Sequence, residues 1–348
     1  MSGRLDLRRG TVVATDPLVV EIDGERRSAW ADEGLLGPMR EGDEVVVNAA
    51  ALDLGLGSGG FDVVHVNLTR GLGGGMEGDA HVMKLNYTSL QHPVDPVEGE
   101  KPLDSNGKST QRPLTAAERR AVPVAVLPLH GHLAPAAWAA AQARPGLRVG
   151  YVQTAGGALP GSFSRDVAEL RARGLLSGHI TAAPSYGGEH EALSIVGALD
   201  AAASVLGWDA VVVGPGPGII GSDTEFGHGG MAALESAHAA LSLRRSTILS
   251  PRLSSADPRE RHRGLSHHTA TVLDLLLAPV TVAVPEGFEI DATGRHRLAS
   301  VPVDLTGYAA SGLPTCTMGR PLVDDPLFFE APLAVGALLA SADGTGAP

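Results

Sequence analysis

From Val122 to about Pro285, short apolar runs alternate with stretches of helical period, and no other feature constrains the fold as much. The apolar runs fall at Val122–Leu127, Arg148–Gln153, His179–Ala183, Ala210–Val213, Ser246–Leu249 and Val280–Val284. Between them, His132–Ala143, Arg165–Arg173, Glu191–Leu206, Met231–Leu241 and Thr269–Leu277 carry the repeat of amphipathic helices. Strands so short and so continuously apolar are buried on both faces, as in parallel sheets. The expectation is an α/β fold: a Rossmann-like, doubly wound, mostly parallel sheet with right-handed crossovers and helices on both sides. The tail adds a strand near Arg297–Leu305 and a helix after Asp325-Pro326, an N-cap followed by proline at N1.

Residues 1–70 follow a different pattern. The β-branched runs Thr11–Ala14, Leu18–Ile22, Glu44–Asn48 and Phe61–Val66 are separated by turn residues, Asp16-Pro17 and Asp23-Gly24 among them. A small β-barrel-like domain is expected there, structural or oligomeric in role because it is poor in the aromatic residues on which bases stack. Between 71 and 118 the reading is a glycine joint at Gly71–Gly75, one more strand over His81–Leu90, and a polar linker from His92 to about Arg112. Thr115 and Glu118 have capping-box spacing. The α/β domain then runs from 119 to 348.

Composition excludes several function classes. A formal charge of −12 removes the basic footprint of a nucleic-acid binder. One cysteine, Cys316, excludes an internal disulfide and a cysteine-built metal site. The only lysines are Lys84, Lys101 and Lys108, so no P-loop exists, and pyridoxal phosphate would have to use Lys84. No apolar stretch is long enough for a membrane span and no signal peptide opens the chain, so a cytoplasmic protein is expected.

In open α/β sheets ligands bind beyond the carboxyl ends of the strands, and the polar residues collect there. Seven of the 13 histidines lie in these loops. The candidate catalytic residues are His267, His268, His228 and Asp223, since imidazole titrates near neutrality and suits acid–base work. The candidate ligand-binding residues are His130, His132, Gly156, Gly157, Glu189, Gly216, Gly218, Gly221, Thr224, Glu225, Arg261, Arg263, Ser266 and Thr269. A divalent metal remains open, with His130, His132, His228 and Glu225 as candidate ligands, although the spacing fits no established zinc motif.

Gly216-Pro-Gly218-Ile-Ile-Gly221 matches GxGxxG, but its prolines remove donors and no acidic residue follows for a ribose. A dinucleotide is therefore not expected; a backbone nest for phosphate or carboxylate is. Arg259, Arg261 and Arg263 either bind an anion or form a solvated, self-paired loop. Ser266 reads as an N-cap that places His267 and His268 about 100° apart, so that only one faces the crevice.

The runs LNYTSLQ (85–91), GGALPGSFSR (156–165), GPGIIGSDTEFGHGG (216–230), RHRGLSHHT (261–269) and TMGR (317–320) together resemble the bacterial family known as domain of unknown function 3866. The resemblance implies a bacterial cytosolic protein of mixed barrel and α/β organisation, and implies no particular activity. Two readings follow from the residues: an enzyme, hydrolase- or transferase-like, acting on a small anionic molecule, or a non-catalytic binding or regulatory protein using the same crevice. An apolar face on the last helix (Leu327, Phe328, Ala331, Leu333, Val335) is expected to be buried, within the chain or across a homo-oligomer.

Overall fold

A computed structural model describes residues 5–56, 59–72, 80–99, 115, 117–118, 121–222, 224–290 and 294–342. The chain divides into two compact units, Met1–Ala80 and His81–Pro348.

The first unit is a closed barrel. Strands β1 (Leu7–Thr15), β2 (Leu18–Ile22), β3 (Glu25–Trp30), β4 (Glu44–Asn48) and β5 (Asp62–Asn67) run in the order β1-β2-β3-β5-β4. Only β3 and β5 pair in parallel. Val12, Val20, Ile22, Val45, Val47 and Val64 point inward and fill it, as the period of two along each strand requires. Two buried carboxylates are paired: Asp62 with Arg27, and Asp43 with Arg70.

The second unit carries an eight-stranded, all-parallel sheet. A hairpin of β6 (Val82–Lys84) and β7 (His92–Val94) precedes β8 (Val124–Val126), β9 (Val149–Thr154), β10 (Gly178–Ala182), β11 (His190–Ala192), β12 (Ala210–Pro215) and β13 (Thr247–Leu249). A ribbon of β14 (Leu253–Ser254) and β15 (Gly264–Leu265) follows, then β16 (Thr281–Pro285), β17 (Arg297–Val301), and a last ribbon of β18 (Cys316–Thr317) and β19 (Arg320–Pro321). The sheet order is β11-β10-β9-β12-β8-β13-β16-β17. The helices are α1 (Leu133–Ala143), α2 (Arg165–Ala172), α3 (Ile195–Ser204), α4 (Ala232–Ser242), α5 (His267–Leu275), α6 (Leu305–Ala309) and α7 (Pro326–Ser341).

Successive strand residues feed opposite cores. Val124, Val126, Val211 and Val213 pack with α3, α4 and α5 through Ala198, Ala202, Ala237 and Val272. Ala125, Leu127, Val212 and Ile248 pack on the other face with α1, α6 and α7 through Leu133, Ala137, Tyr308 and Leu333. The expected α/β architecture is therefore present, with every pair in the large sheet parallel. The apolar face of α7 is buried inside this unit: Phe328, Ala331, Leu333 and Val335 are covered. Gly336 lets α7 approach α1, since a Cβ there would stand 2.0 Å from the Ala136 carbonyl oxygen.

Three local expectations need correction. The stretch expected to be helical from Glu191 starts instead with edge strand β11, and α3 begins only after Ser194, whose hydroxyl accepts the Gly197 N–H at 2.9 Å. The strand expected across His81–Leu90 stops at Lys84, because Leu85 and Tyr87 take positive φ. Residues 92–99 are not linker: β7 pairs with β6, Val97 is fully buried, and the Glu98 carboxylate accepts the Leu193 N–H at 2.8 Å. Lys84 fastens this hairpin to the sheet edge, donating to the carbonyls of Thr181 (2.7 Å) and Ser185 (2.5 Å) and to Glu191. The rest of the expected linker lies outside the described residues.

Candidate functional site

Connections leaving adjacent strands diverge at the middle of the sheet. From β8 the chain enters α1 on one face, whereas β12 and β13, on either side of β8, lead to α4 and α5 on the other. Such a point opens a crevice beyond the carboxyl ends of the strands. A cavity of about 550 Å³ lies among these loops. A second recess of about 480 Å³ adjoins it and shares Gly218, Ile220, Gly221 and His228.

Four histidines converge on the larger cavity: His228, His262, His267 and His268. The His228 and His268 rings stack with centroids 3.5 Å apart, and the His267 and His268 rings meet edge to face at 4.4 Å. His262 stands 4.9 Å from His267 and 4.8 Å from His268. Ring nitrogens of His262, His267 and His268 all lie within 4.8 Å of one another.

The local sequence explains how. Ser266 caps α5, its hydroxyl accepting the His268 N–H at 3.3 Å while standing 2.7 Å from His262 Nδ1. The His262 side chain rises from a short 3-10 turn, Glu260–His262, that the β14–β15 ribbon folds back toward the helix start. The expectation that only one of His267 and His268 faces the crevice is not met, because both line it. Side chains in a first turn lean past the helix end, so both rings reach the cavity despite their angular separation.

Burial and nearby charges disfavour protonation of His228, His262 and His268. Desolvation, then His228 and Arg252, pushes His268 down to about 2; desolvation, then Arg252 and Arg259, pushes His262 to about 3. Burial lowers His228 as well, the Glu225 carbonyl opposing it without reaching hydrogen-bond geometry. Neither ring nitrogen of His228 has a hydrogen-bond partner among the described residues, nor does His262 Nε2.

Beneath the histidines is a network of arginines. Asp257, fully buried, takes both Nε and Nη2 of Arg259 at 3.0 Å and Nη2 of Arg252 at 3.3 Å. Arg320 approaches Asp257 to 3.6 Å and donates to buried Asp325 at 3.0 Å. The TMGR run explains that reach: Met318 and Gly319 take φ of 46° and 76°, forming the tight turn that brings Arg320 back. Burial works against the Asp257 carboxylate, but the Arg259 hydrogen bonds and the adjacent charges hold it well below the usual range. Arg252 also donates to His268 Nδ1 at 3.3 Å, joining the two clusters. Arg261 lies on the same cavity wall as Arg252 and Arg259. In a chain of charge −12, guanidiniums are gathered at this one place.

At the other end of the cavity stand His130 and Asp166. His130 Nδ1 donates to the Pro215 carbonyl at 3.2 Å, so its Nε2, 2.7 Å from Ser164 Oγ, is the acceptor. The remaining candidates fall in several places. Gly156, Gly157, Gly218 and Gly221 line the smaller recess. Gly157 and Gly216 are where two loops touch, a Cβ on Gly157 standing 2.0 Å from the Gly216 carbonyl oxygen. Thr224 lines the larger cavity and accepts the Gly227 N–H at 3.1 Å. Thr269 accepts the Arg252 backbone N–H at 2.9 Å, and Arg263 donates to the Asp257 carbonyl at 2.9 Å, so both shape the loop from outside the cavity lining. Glu189 pairs with Arg171 at 2.8 Å and Glu225 is exposed; neither lines the cavity. His132 is buried behind it, 2.9 Å from Ser250 Oγ and edge-on to Phe328. Asp223 lies outside the described residues. Of the four metal-ligand candidates only His228 joins the histidine cluster, and Arg252, Asp257 and Arg320 are site residues absent from the candidates read in the sequence.

A five-stranded barrel, an all-parallel α/β sheet and a histidine- and arginine-lined crevice at its switch point define the class. The chain belongs to the family described as "Protein of unknown function (DUF3866)", which matches residues 28–336. No curated protein and no solved structure matches it. No helix among the described residues is long and apolar enough to cross a membrane.

Proposed function

We propose that this chain is an enzyme, hydrolase- or transferase-like, that acts on a small anionic molecule in the cavity beyond β8, β12 and β13. The observation that carries this reading is the convergence of His228, His262, His267 and His268 with Arg252, Arg259 and Arg261 on one cavity. Guanidiniums bind phosphate and carboxylate through charge-assisted, often bidentate hydrogen bonds. Here Asp257 fixes Arg252 and Arg259 in place, so little ordering is needed when an anion arrives. Neutral imidazoles beside that position accept or relay a proton. A bound dianion opposes the field of the arginines, because nearby negative charge favours the imidazolium, and so it prepares the ring next to it for proton transfer. The single cysteine, exposed at the cavity rim, fits a reducing cytosol.

Turnover tests this reading. The full chain is incubated with phosphorylated and carboxylated metabolites, with and without added divalent metal. Product formation that is lost on His268→Ala is the expected result. Saturable binding with no product from any compound supports the non-catalytic reading instead.

A further inference from the structure

Three histidines in the crevice are arranged for more than proton transfer. We infer that His262, His267 and His268 form a binding site for one divalent transition-metal ion; the inference shares its location with the proposed anion site but does not require that the chain be an enzyme. Their ring nitrogens lie within 4.8 Å of one another. Three nitrogens about 2.05 Å from one tetrahedral ion stand roughly 3.3 Å apart, so side-chain rotations closing the gap by an ångström or so suffice. All three residues lie within four positions of the Ser266 cap, His262 on the 3-10 turn before it and the other two opening α5.

The second layer supports ligation. Ser266 Oγ stands 2.7 Å from His262 Nδ1. The tautomer in which Nδ1–H donates to that oxygen leaves Nε2 bare, and this buried atom has no hydrogen-bond partner among the described residues. Fixing one ring nitrogen so that the other can bind metal is how ligating histidines are oriented. His268 Nδ1 offers a lone pair to which Arg252 Nη1 donates at 3.3 Å; the ion would take that lone pair in place of the Nη1 contact, while Nη2 stays on Asp257.

Donor chemistry selects the class of ion. An all-imidazole set suits zinc, cobalt, nickel, copper or iron and does not suit magnesium or calcium, which require oxygen ligands. Asp257, the nearest buried carboxylate, is already committed to arginines. Three protein ligands leave a fourth position for water or an anionic oxygen, the pattern of catalytic sites. Beside Arg252, Arg259 and Arg261 a dication is repelled unless an anion binds with it, so inorganic phosphate should strengthen metal binding.

The test is titration of the chelator-stripped full chain with cobalt(II) and zinc(II), with and without inorganic phosphate. Bound metal is read by the visible absorption of low-coordinate cobalt and by elemental analysis. The expected result is about one equivalent, tightened by phosphate and weakened roughly 10–100-fold or more in His267→Ala and His262→Gln. His81→Ala, an exposed histidine away from the cluster, should bind like the parent. The variants' melting curves establish that they fold, and the parent's stoichiometry stands as a test even if one does not. No stoichiometric binding by the parent, or equal binding by parent and variants, overturns the metal site. Phosphate binding or turnover that persists in such a metal-free chain would leave the proposed function intact, so the two failures are distinguishable.

Discussion

His228 and His268 stack face to face, centroids 3.5 Å apart and planes 7° apart. The first comes from the loop after β12 and the second opens α5 after β13, so the contact ties together the two loops that flank β8. Two imidazoliums at this spacing would repel strongly. The pair therefore carries at most one positive charge, and it faces the arginines that would receive an anion.

Each ring of this stack should be needed for function but not for folding. His228→Ala and His268→Ala are each expected to reduce ligand affinity or turnover by about two orders of magnitude, the scale of a lost general base. Their melting temperatures should stay within a few degrees of the parent. Parental binding and turnover in both variants would remove the histidine cluster from the site.

Asp257 should behave in the opposite way. It is fully buried and is approached by Arg252, Arg259 and Arg320. Asp257→Ala leaves the buried Arg252 guanidinium without its carboxylate, with an expected loss of about 3–5 kcal/mol. Chemical denaturation measures it, and a loss below about 1 kcal/mol would show that the arginines find other partners.

How much of this was legible in the sequence depended on what each residue answers to. Continuous apolar runs such as Ala210–Val213 revealed buried parallel strands, and the loop rule then placed His228, His267 and His268 at the correct edge. Strand β11 was missed because its residues, His190-Glu191-Ala192, are mostly polar and are satisfied by partners distant in sequence, Lys84 and Thr181. His132 looked equivalent to His130; only the packing of Phe328 against it separates a buried histidine from a cavity histidine. Arg252 and Asp257 carry no motif, since their roles arise when the β14–β15 ribbon folds the loop back on itself.

Stability should fall as pH drops below about 6.5. Burial, together with Arg252, pulls His132 to about 3; burial, together with His130 and Arg171, pulls His179 to about 3. Above the ordinary value of 6.5 both states hold these rings neutral and no penalty arises. Between 6.5 and 3 the unfolded chain binds protons that the native chain does not, so unfolding is favoured progressively. Near pH 5 these two residues should add about two protons to the uptake on unfolding. Denaturation across pH 7 to 4.5 measures the slope, and His179→Asn should reduce it by about one proton. A flat profile would mean that the rings titrate normally.

The most direct test of the central claim is calorimetric titration of the full chain with inorganic phosphate, compared with Arg261→Ala. Arg261 is exposed on the cavity wall, so its removal should spare the fold. The account predicts saturable binding by the parent, weakened about tenfold or more in the variant and reduced by salt, with melting temperature unchanged. Absence of phosphate binding by the parent, or identical isotherms for parent and variant, would contradict an anion site at this crevice.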